Sequence, residues 1–203
     1  MTFAWQQDVA FDKLRENASL ISSAQSANED TTRLRAIDTT LFDVLGWDKA
    51  EVETEKYCRA EGYADYVFPQ NDSICLVLEA KKAGTTFVLP KKNLADRPIG
   101  FALMEEECPE AGKALRQAAG YASSLGARYI VITNGFQWIL ALTFVQNQPI
   151  EERSVFVFNS LEIIQARFSR FGIVSAQRAC FLTRVPLSSS KVERHRHRLI
   201  PQR

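Results

Sequence analysis

A glutamate and a lysine stand two residues apart at the end of an apolar run in the middle of the chain. The run, residues 74–78, is continuously apolar, which is typical of a central strand that is buried on both faces. Glu79 and Lys81 follow it, and because side chains alternate along a strand, the two share one face. An acid and an amine placed there need partners, since burying unpaired charge is costly.

A second carboxylate, Asp65, is predicted to lie opposite Glu79 across a hairpin. Residues 63–68 are rich in strand-forming side chains, and residues 69–73 form a strong turn pattern. Folding the chain about Asn71 and Asp72 pairs residues whose numbers sum to about 143 or 144, and 65 and 79 sum to 144. A slip of one residue would turn one of the two carboxylates to the other face.

Two facing carboxylates repel each other, and a divalent cation would relieve that repulsion. Mg²⁺ suits such a site because it takes a few carboxylate oxygens and keeps several waters, with Mn²⁺ as an alternative ion. The backbone carbonyl of Ala80 would add one oxygen. Such an ion activates water against a phosphodiester, and Lys81 would orient or deprotonate that water and help hold the phosphate. From spacing alone, an ordinary ion-pair cluster remains the favoured alternative.

Several short motifs surround these residues in a fixed order. They read TRLRAID at 32–38, LGWD at 45–48, ADYV at 64–67 and LEAKK at 78–82, and they continue with QAAGY at 117–121 and TNGFQW at 133–138. This ordered set, over roughly residues 28–145, resembles the N-terminal nuclease domain of type I restriction enzyme R subunits. That domain belongs to the PD-(D/E)XK nuclease superfamily.

The resemblance implies a restriction-endonuclease-like fold, with a mixed central sheet flanked by helices. It also implies metal ligation by Asp65 and Glu79, a catalytic role for Lys81, and a role in DNA binding or cleavage for Gln117 and Tyr121. These last two stand four residues apart, hence on one helix face. Packing of Tyr121 in the core is the alternative for that residue.

The implied activity is that of a Mg²⁺-dependent DNA endonuclease in restriction or antiviral defence. A non-catalytic nucleic-acid-binding or scaffolding domain on the same fold is one alternative, and an RNA-directed nuclease is another. The chain contains no GxxxxGK[ST] motif, so it carries no ATP-driven motor of its own. It is either a stand-alone nuclease, also as a homo-oligomer, or the nuclease part of a larger effector with further subunits or a fused regulatory or motor domain.

Contacts to nucleic acid must come from local clusters of basic residues. Lys and Arg total 25 and Asp and Glu total 24, so the net charge gives no general argument for a DNA partner. Four basic residues follow the predicted catalytic strand: Lys82, Lys91, Lys92 and Arg97. They are candidates for phosphate contacts, and a solvated lysine-rich loop explains them equally well.

Hydrophobic periodicity and turn residues predict a mixed α/β fold with helices flanking one sheet. Residues 1–27 are expected to form an N-terminal helix, residues 28–158 the nuclease core, and residues 159–203 a C-terminal helix followed by a basic tail or linker. Within the core we expect one helix from the N-cap Asn28 to Gly46, a three-strand meander, and one helix over residues 105–125. A hairpin that turns at Asn134 and Gly135 follows.

The four cysteines lie far apart and form no CxxC pair, which predicts neither a metal cage nor a disulfide framework. Scattered single cysteines are typical of a reducing cytoplasm. No apolar run reaches the length of a signal peptide or a membrane span. We therefore expect a soluble cytoplasmic protein without a membrane partner.

Overall fold

A computed structural model of the chain describes residues 3–23, 28–59, 61–70, 73–89, 94, 96–168 and 171. These residues form a mixed α/β structure in which helices flank both faces of one seven-stranded sheet. The strands are β1 (Glu53–Cys58), β2 (Gly62–Gln70), β3 (Ser73–Ala80), β4 (Ile99–Gly100), β5 (Tyr129–Thr133), β6 (Trp138–Leu142) and β7 (Ser154–Phe158). Their order across the sheet is β1-β2-β3-β5-β6-β7-β4, so β3 is covered on both edges.

The expected meander of β1, β2 and β3 is confirmed, and so is its register. Tyr66 pairs with Leu78 and Val67 with Val77, and both pairs sum to 144. Strand β3 then runs parallel to β5, which is the one parallel pairing among the described strands. Residues 75–78 of the apolar run are buried as predicted, Ile74 is only partly buried, and Glu79 and Ala80 are buried as well.

The helices are α1 (Phe3–Ser23), α2 (Glu29–Thr32), α3 (Phe101–Glu107), α4 (Pro109–Leu125) and α5 (Leu161–Ala166). Two cores lie on the two faces of the sheet. One packs α3 and α4 against side chains such as Val77, and the other packs α1, α5 and the segment after α2 against side chains such as Leu78. This alternation assigns Glu79 to the α4 face of β3.

The predicted helix from Asn28 to Gly46 changes its winding part-way. Asn28 caps α2 by accepting the backbone N–H of Thr31, as expected. Arg33–Ile37 and Thr39–Val44 are then π-helical, a wider winding with hydrogen bonds five residues apart. The spacing of Leu34 from Ile37 and Leu41 predicts that all three are buried, and this is wrong for Leu34, which is 66% exposed.

The single helix expected over residues 105–125 is also wrong, because it is divided at Cys108. Pro109 occupies the first turn of α4, and the residue before a proline is kept out of the helical region. Cys108 accordingly has φ −141° and ψ 79°. The break turns α3 across α4 so closely that a Cβ on Gly112 would lie 2.7 Å from the Cα of Glu105.

The expected hairpin between β5 and β6 is present, and its turn rests on the π-helical segment. Gly135 has φ +89°, and a Cβ there would lie 2.8 Å from Cβ of Ala36 and 3.3 Å from Cγ2 of Thr32. Only glycine satisfies both the backbone conformation and this close approach. The turn thereby holds the start of the π-helical segment against the sheet.

The described cysteines are not all in the same state. Cys58 and Cys108 are free and buried, whereas Cys75 is disulfide-bonded, which the scattered cysteine spacing did not predict. In the part of the chain that the structure describes, every helix is too short or too polar to span a membrane. The basic tail expected from Val185 onward lies outside the described residues.

Gly135→Ala should lower the free energy of unfolding by about 2–4 kcal/mol, because it adds both left-handed backbone strain and a clash. Gly126→Ala is the matched control, since Gly126 has φ +70° but nothing within 4 Å of an added Cβ. That variant should lose only about 1 kcal/mol. Urea denaturation of the two variants measures the difference, and equal losses would contradict the close approach at Ala36.

Candidate active site

The ladder between β2 and β3 ends beside the residues that the sequence predicts to do chemistry. Tyr66 and Leu78 are the last paired residues at this end of the two strands. Beyond them, Oδ2 of Asp65 accepts the backbone N–H of Ala80 at 2.7 Å. The carboxylate thus accepts the hydrogen bond that a backbone carbonyl of β2 would accept in a regular ladder. This bond anchors Asp65 beside the end of β3.

Strand β1 is irregular at the position opposite Asp65. The pairs on either side are regular, but Glu55, which lies between them, has φ +51°. Ala64 and Val67, three residues apart, both pack in the core under α4, which a regular alternation forbids. The regular pleat therefore breaks at Asp65, and a non-glycine residue with positive φ marks local strain of the kind found at functional sites.

Glu79 and Lys81 lie on one face at the end of β3, as predicted. Nζ of Lys81 donates to Oε1 of Glu79 at 2.6 Å and to Oε1 of Gln117 at 3.4 Å. The Glu79 side chain is only 6% exposed, whereas that of Lys81 is 27% exposed. The carboxylate is therefore buried beneath an amine that still reaches the surface.

The second oxygen of Glu79 is the unusual atom of this site. Oε2 is buried and has no hydrogen-bond partner. Burial, together with the negative charge of Asp65, raises the pKa of Glu79 to about 7, against the opposing effect of Lys81. Burial likewise raises the pKa of Asp65, although the Ala80 amide and Arg33 oppose the shift. Despite these cationic partners, burial makes both carboxylates harder to ionise than free side chains.

Arg33, from the first π-helical segment, holds Asp65 from the other side. Its guanidinium donates to the backbone oxygen of Asp65 at 3.4 Å and lies 3.7 Å from Oδ1 of the same residue. It also pairs with Glu55 at 3.3 Å and lies over the ring of Tyr66, 4.9 Å from its centroid. Tyr66 in turn donates its hydroxyl to Asp38 at 2.7 Å. These contacts leave Asp65 little rotational freedom.

A third carboxylate belongs to the same electrostatic neighbourhood. Glu29 is exposed at the surface, but partial desolvation of its carboxylate and then the charge of Asp65 raise its pKa, and Glu29 in turn contributes to the raised pKa of Glu79. An acidic residue in the first turn of a helix is explained by the helix dipole, so the sequence alone does not indicate Glu29 as a site residue. The feature that could have indicated Glu29 is its position three residues before the TRLRAID motif.

Gln117 and Tyr121 lie on the face of α4 that borders the site. Nε2 of Gln117 donates to the Tyr121 hydroxyl at 2.8 Å, so the predicted pairing on one helix face is confirmed. Tyr121 is also part of the core, with only 2% of its surface exposed. Burial raises the pKa of its hydroxyl, and the charges of Glu79 and Asp65 add to that shift.

The loop after Lys81 is held by polar side chains from two other elements. Oγ1 of Thr32 accepts the backbone N–H of Ala83 at 3.0 Å. Asn134 donates to the carbonyl of Thr85 at 2.7 Å, and the amide group of Gln137 both accepts from and donates to the backbone of Phe87. The TNGFQW motif thus makes the β5–β6 turn and also binds this loop.

The predicted phosphate contacts are distributed unevenly. Lys82 is exposed directly beside the site. Arg97 precedes β4, which lies four strand positions from β3, about 19 Å at ordinary strand spacing, so the sheet does not bring it to the carboxylates. Lys91 and Lys92 lie outside the described residues.

The donor set fits a small hydrated cation. Within the described residues no three acidic, histidine or cysteine side chains are gathered as a metal-binding group. Mg²⁺ nevertheless needs only one or two carboxylates beside its waters. Because the N–H of Ala80 points toward Asp65, and the N–H and C=O of an extended residue point the same way, its carbonyl faces that side as well. Oε2 of Glu79 adds a further oxygen to this set, and it is the one without a hydrogen-bond partner.

Comparison with known proteins finds no significant relative of this chain. No protein-family model matches the chain, and neither the curated proteins nor the solved structures contain a significant match. Any assignment of function therefore rests on the motifs and on the geometry described above.

Without divalent cations, the protein should lose stability as the pH rises from 5 to 8. The folded pKa of Glu79, about 7, lies above its ordinary value of 4.5, so the folded state keeps a proton that the unfolded state releases. The stabilisation is complete below pH 4.5 and is lost as the pH passes 7, by roughly 3 kcal/mol at most.

Glu79→Gln should flatten this pH dependence, because the amide cannot ionise. Glu106→Gln, which changes an exposed carboxylate on α3, should leave the wild-type profile intact. Urea denaturation in EDTA at a series of pH values checks both variants. A wild-type profile that is flat or rises over this range would contradict the buried, unpaired state of Glu79.

Proposed function

We propose that this chain is a Mg²⁺-dependent DNA endonuclease domain of the PD-(D/E)XK type that serves restriction or anti-phage defence. The observation that carries the proposal is the buried Oε2 of Glu79, unpaired beside a second carboxylate and a lysine amine. A structural ion-pair cluster satisfies its oxygens, whereas a cation site keeps oxygens available for an ion.

The spatial arrangement of the motifs supports the same proposal. Segments that are far apart in sequence border one site: LEAKK supplies Glu79 and Lys81, and ADYV supplies Asp65. TRLRAID supplies Arg33, QAAGY supplies Gln117, and TNGFQW holds the loop that follows the site. These are the motifs that resemble the nuclease domain of type I restriction enzyme R subunits. An accidental likeness gives no reason for them to converge.

Asp65 and Glu79 would hold the ion, with the backbone carbonyl of Ala80 as a further ligand. Mg²⁺ at this position supplies Lewis-acid chemistry: it polarises the phosphodiester, lowers the pKa of a bound water and neutralises the negative charge that develops. Arg33 holds Asp65 in place from the opposite side, so its carboxylate stays directed toward the end of β3. Glu29 adds a third negative charge to the surroundings of the ion.

Lys81 is placed to act on the attacking water. Its amine lies between the carboxylate of Glu79 and the amide of Gln117 and remains partly exposed, so substrate can approach it. In the proposed reaction it orients the water or, as the free amine, takes its proton. The water oxygen forms a bond to phosphorus while the bond from phosphorus to the leaving deoxyribose oxygen breaks, and that oxygen takes a proton from solvent. Gln117, held by Tyr121, fixes the position of this amine.

Lys81→Ala should abolish Mg²⁺-dependent cleavage of plasmid DNA, with a loss of at least 10²-fold because a positioned proton-transfer group is removed. Lys13→Ala is the matched control: this lysine of α1 forms an exposed ion pair with Asp43, and its loss should leave cleavage unchanged. Agarose gels of plasmid incubated with Mg²⁺ or with EDTA give the rates, and a parallel incubation with RNA tests the nucleic acid. Cleavage that persists in EDTA, or equal rates for Lys81→Ala and wild type, would refute the mechanism.

Mg²⁺ or Mn²⁺ should raise the melting temperature at pH 8, since an ion that binds only the folded state stabilises it by mass action. The shift should disappear in Asp65→Asn and Glu79→Gln and remain in Glu106→Gln. Differential scanning calorimetry with and without each ion measures it independently of any cleavage. An equal shift in all four proteins would place the ion elsewhere on the chain.

A further inference from the structure

The β1–β2 hairpin continues past the end of the β2–β3 ladder. Lys56 pairs with Ala64, Tyr57 with Tyr63 and Cys58 with Gly62, all beyond the last pair of β2 with β3. This part of the hairpin is therefore a two-stranded arm, residues 56–59 and 61–64, beside the proposed active site. Cys58 and Ala64 pack its inner face against the core under α4.

The outer face of the arm carries two tyrosines side by side. Tyr57 and Tyr63 are neighbours of the inward-facing Cys58 and Ala64, so their rings point away from α4. They are 61% and 62% exposed, and their ring centroids lie 5.3 Å apart with an angle of 55° between the planes. Among the described residues, both belong to the small set of large apolar side chains left in solvent.

The tyrosine pair lies close to Asp65 along strand β2. Tyr63 lies two residues before Asp65, about 7 Å along an extended strand. Arg59, at the turn of the arm, is exposed and takes part in none of the ion pairs between described side chains. The side chain of Glu61, at the same turn, points toward α4. Its Oε2 lies 2.8 Å from the position that a Cβ on Gly120 would occupy. Because side chains alternate along a strand, Arg59 is expected on the same face as Tyr57, whereas Glu61 is directed toward α4.

We propose that Tyr57 and Tyr63 form a stacking platform for the bases of single-stranded DNA on the arm that leads to Asp65, on its face turned away from α4, an inference that rests on the nuclease function proposed above. Exposed aromatic rings beside a cation bind unstacked bases together with their phosphates. Bases within an intact duplex are already stacked on each other and offer no free face. The substrate class that fits this arm is therefore a single strand, an overhang or a frayed duplex end.

The test compares two double variants in a Lys81→Ala background, where DNA is bound without being cut. Tyr57→Thr with Tyr63→Thr removes both rings but keeps strand-forming residues, whereas Tyr57→Phe with Tyr63→Phe keeps both rings. Fluorescence anisotropy measures binding of a labelled oligothymidylate and of a blunt duplex of equal charge. Circular dichroism melting checks that both variants remain folded.

The threonine pair should weaken oligothymidylate binding by about five- to 150-fold and leave duplex binding unchanged, whereas the phenylalanine pair should bind both as the parent does. Equal losses on both DNAs, no loss at all, or no binding of oligothymidylate by the parent would each overturn the proposal. Dimerisation of the parent through these tyrosines would also overturn it. In that case the threonine pair would shift to monomer on size-exclusion chromatography while its DNA binding stayed unchanged.

The result also separates this inference from the nuclease function. If binding depends on the two rings but the intact chain cleaves no DNA, the platform stands and the catalytic proposal fails. If the intact chain cleaves DNA and the threonine pair binds oligothymidylate as tightly as the parent, the catalytic proposal stands and the platform fails.

Discussion

A carboxylate that is buried with one oxygen unpaired is expensive for any fold, because transfer from water removes hydration that nothing in the protein replaces. Glu79 is in this situation: one oxygen receives the amine of Lys81 and the other receives nothing. The nearby charge of Asp65 makes ionisation harder still. The surrounding structure keeps these two negative groups close together, and a bound cation is the simplest partner that would satisfy both.

The frame around Glu79 explains how this arrangement is maintained. Asp65 cannot rotate away from the site, because it is tied to the backbone of β3 on one side and to Arg33 on the other. Arg33 is itself fixed by Tyr66 and Glu55. The helical layer that carries Arg33 is positioned by the β5–β6 turn, where only a glycine fits. Rigid support from elements distant in sequence is what a preorganised site requires.

Much of the sheet could be predicted from local patterns, and less of the helical layers. The alternation and turn residues around Asn71 were sufficient for the β2–β3 register, because a slip of one residue would have exposed the apolar run. The winding after Arg33 was not predictable, since π-helical hydrogen bonding has no strong sequence signature and removes Leu34 from the expected apolar stripe. The break at Cys108 had a local cause in Pro109, which the spacing of small residues concealed.

For the site, local sequence patterns were enough to predict that Glu79 and Lys81 share a face, that Asp65 approaches them, and that Gln117 and Tyr121 lie together on a helix. Each follows from a short-range rule of geometry: the two-residue period of strands, hairpin pairing, or the i to i+4 spacing of helices. The three-dimensional contacts were needed to show that one oxygen of Glu79 stays unpaired, that Arg33 and Glu29 join the site, and that two tyrosines remain exposed on the neighbouring arm. These features depend on which groups meet across the two faces of the sheet, and no local period in a sequence encodes such meetings.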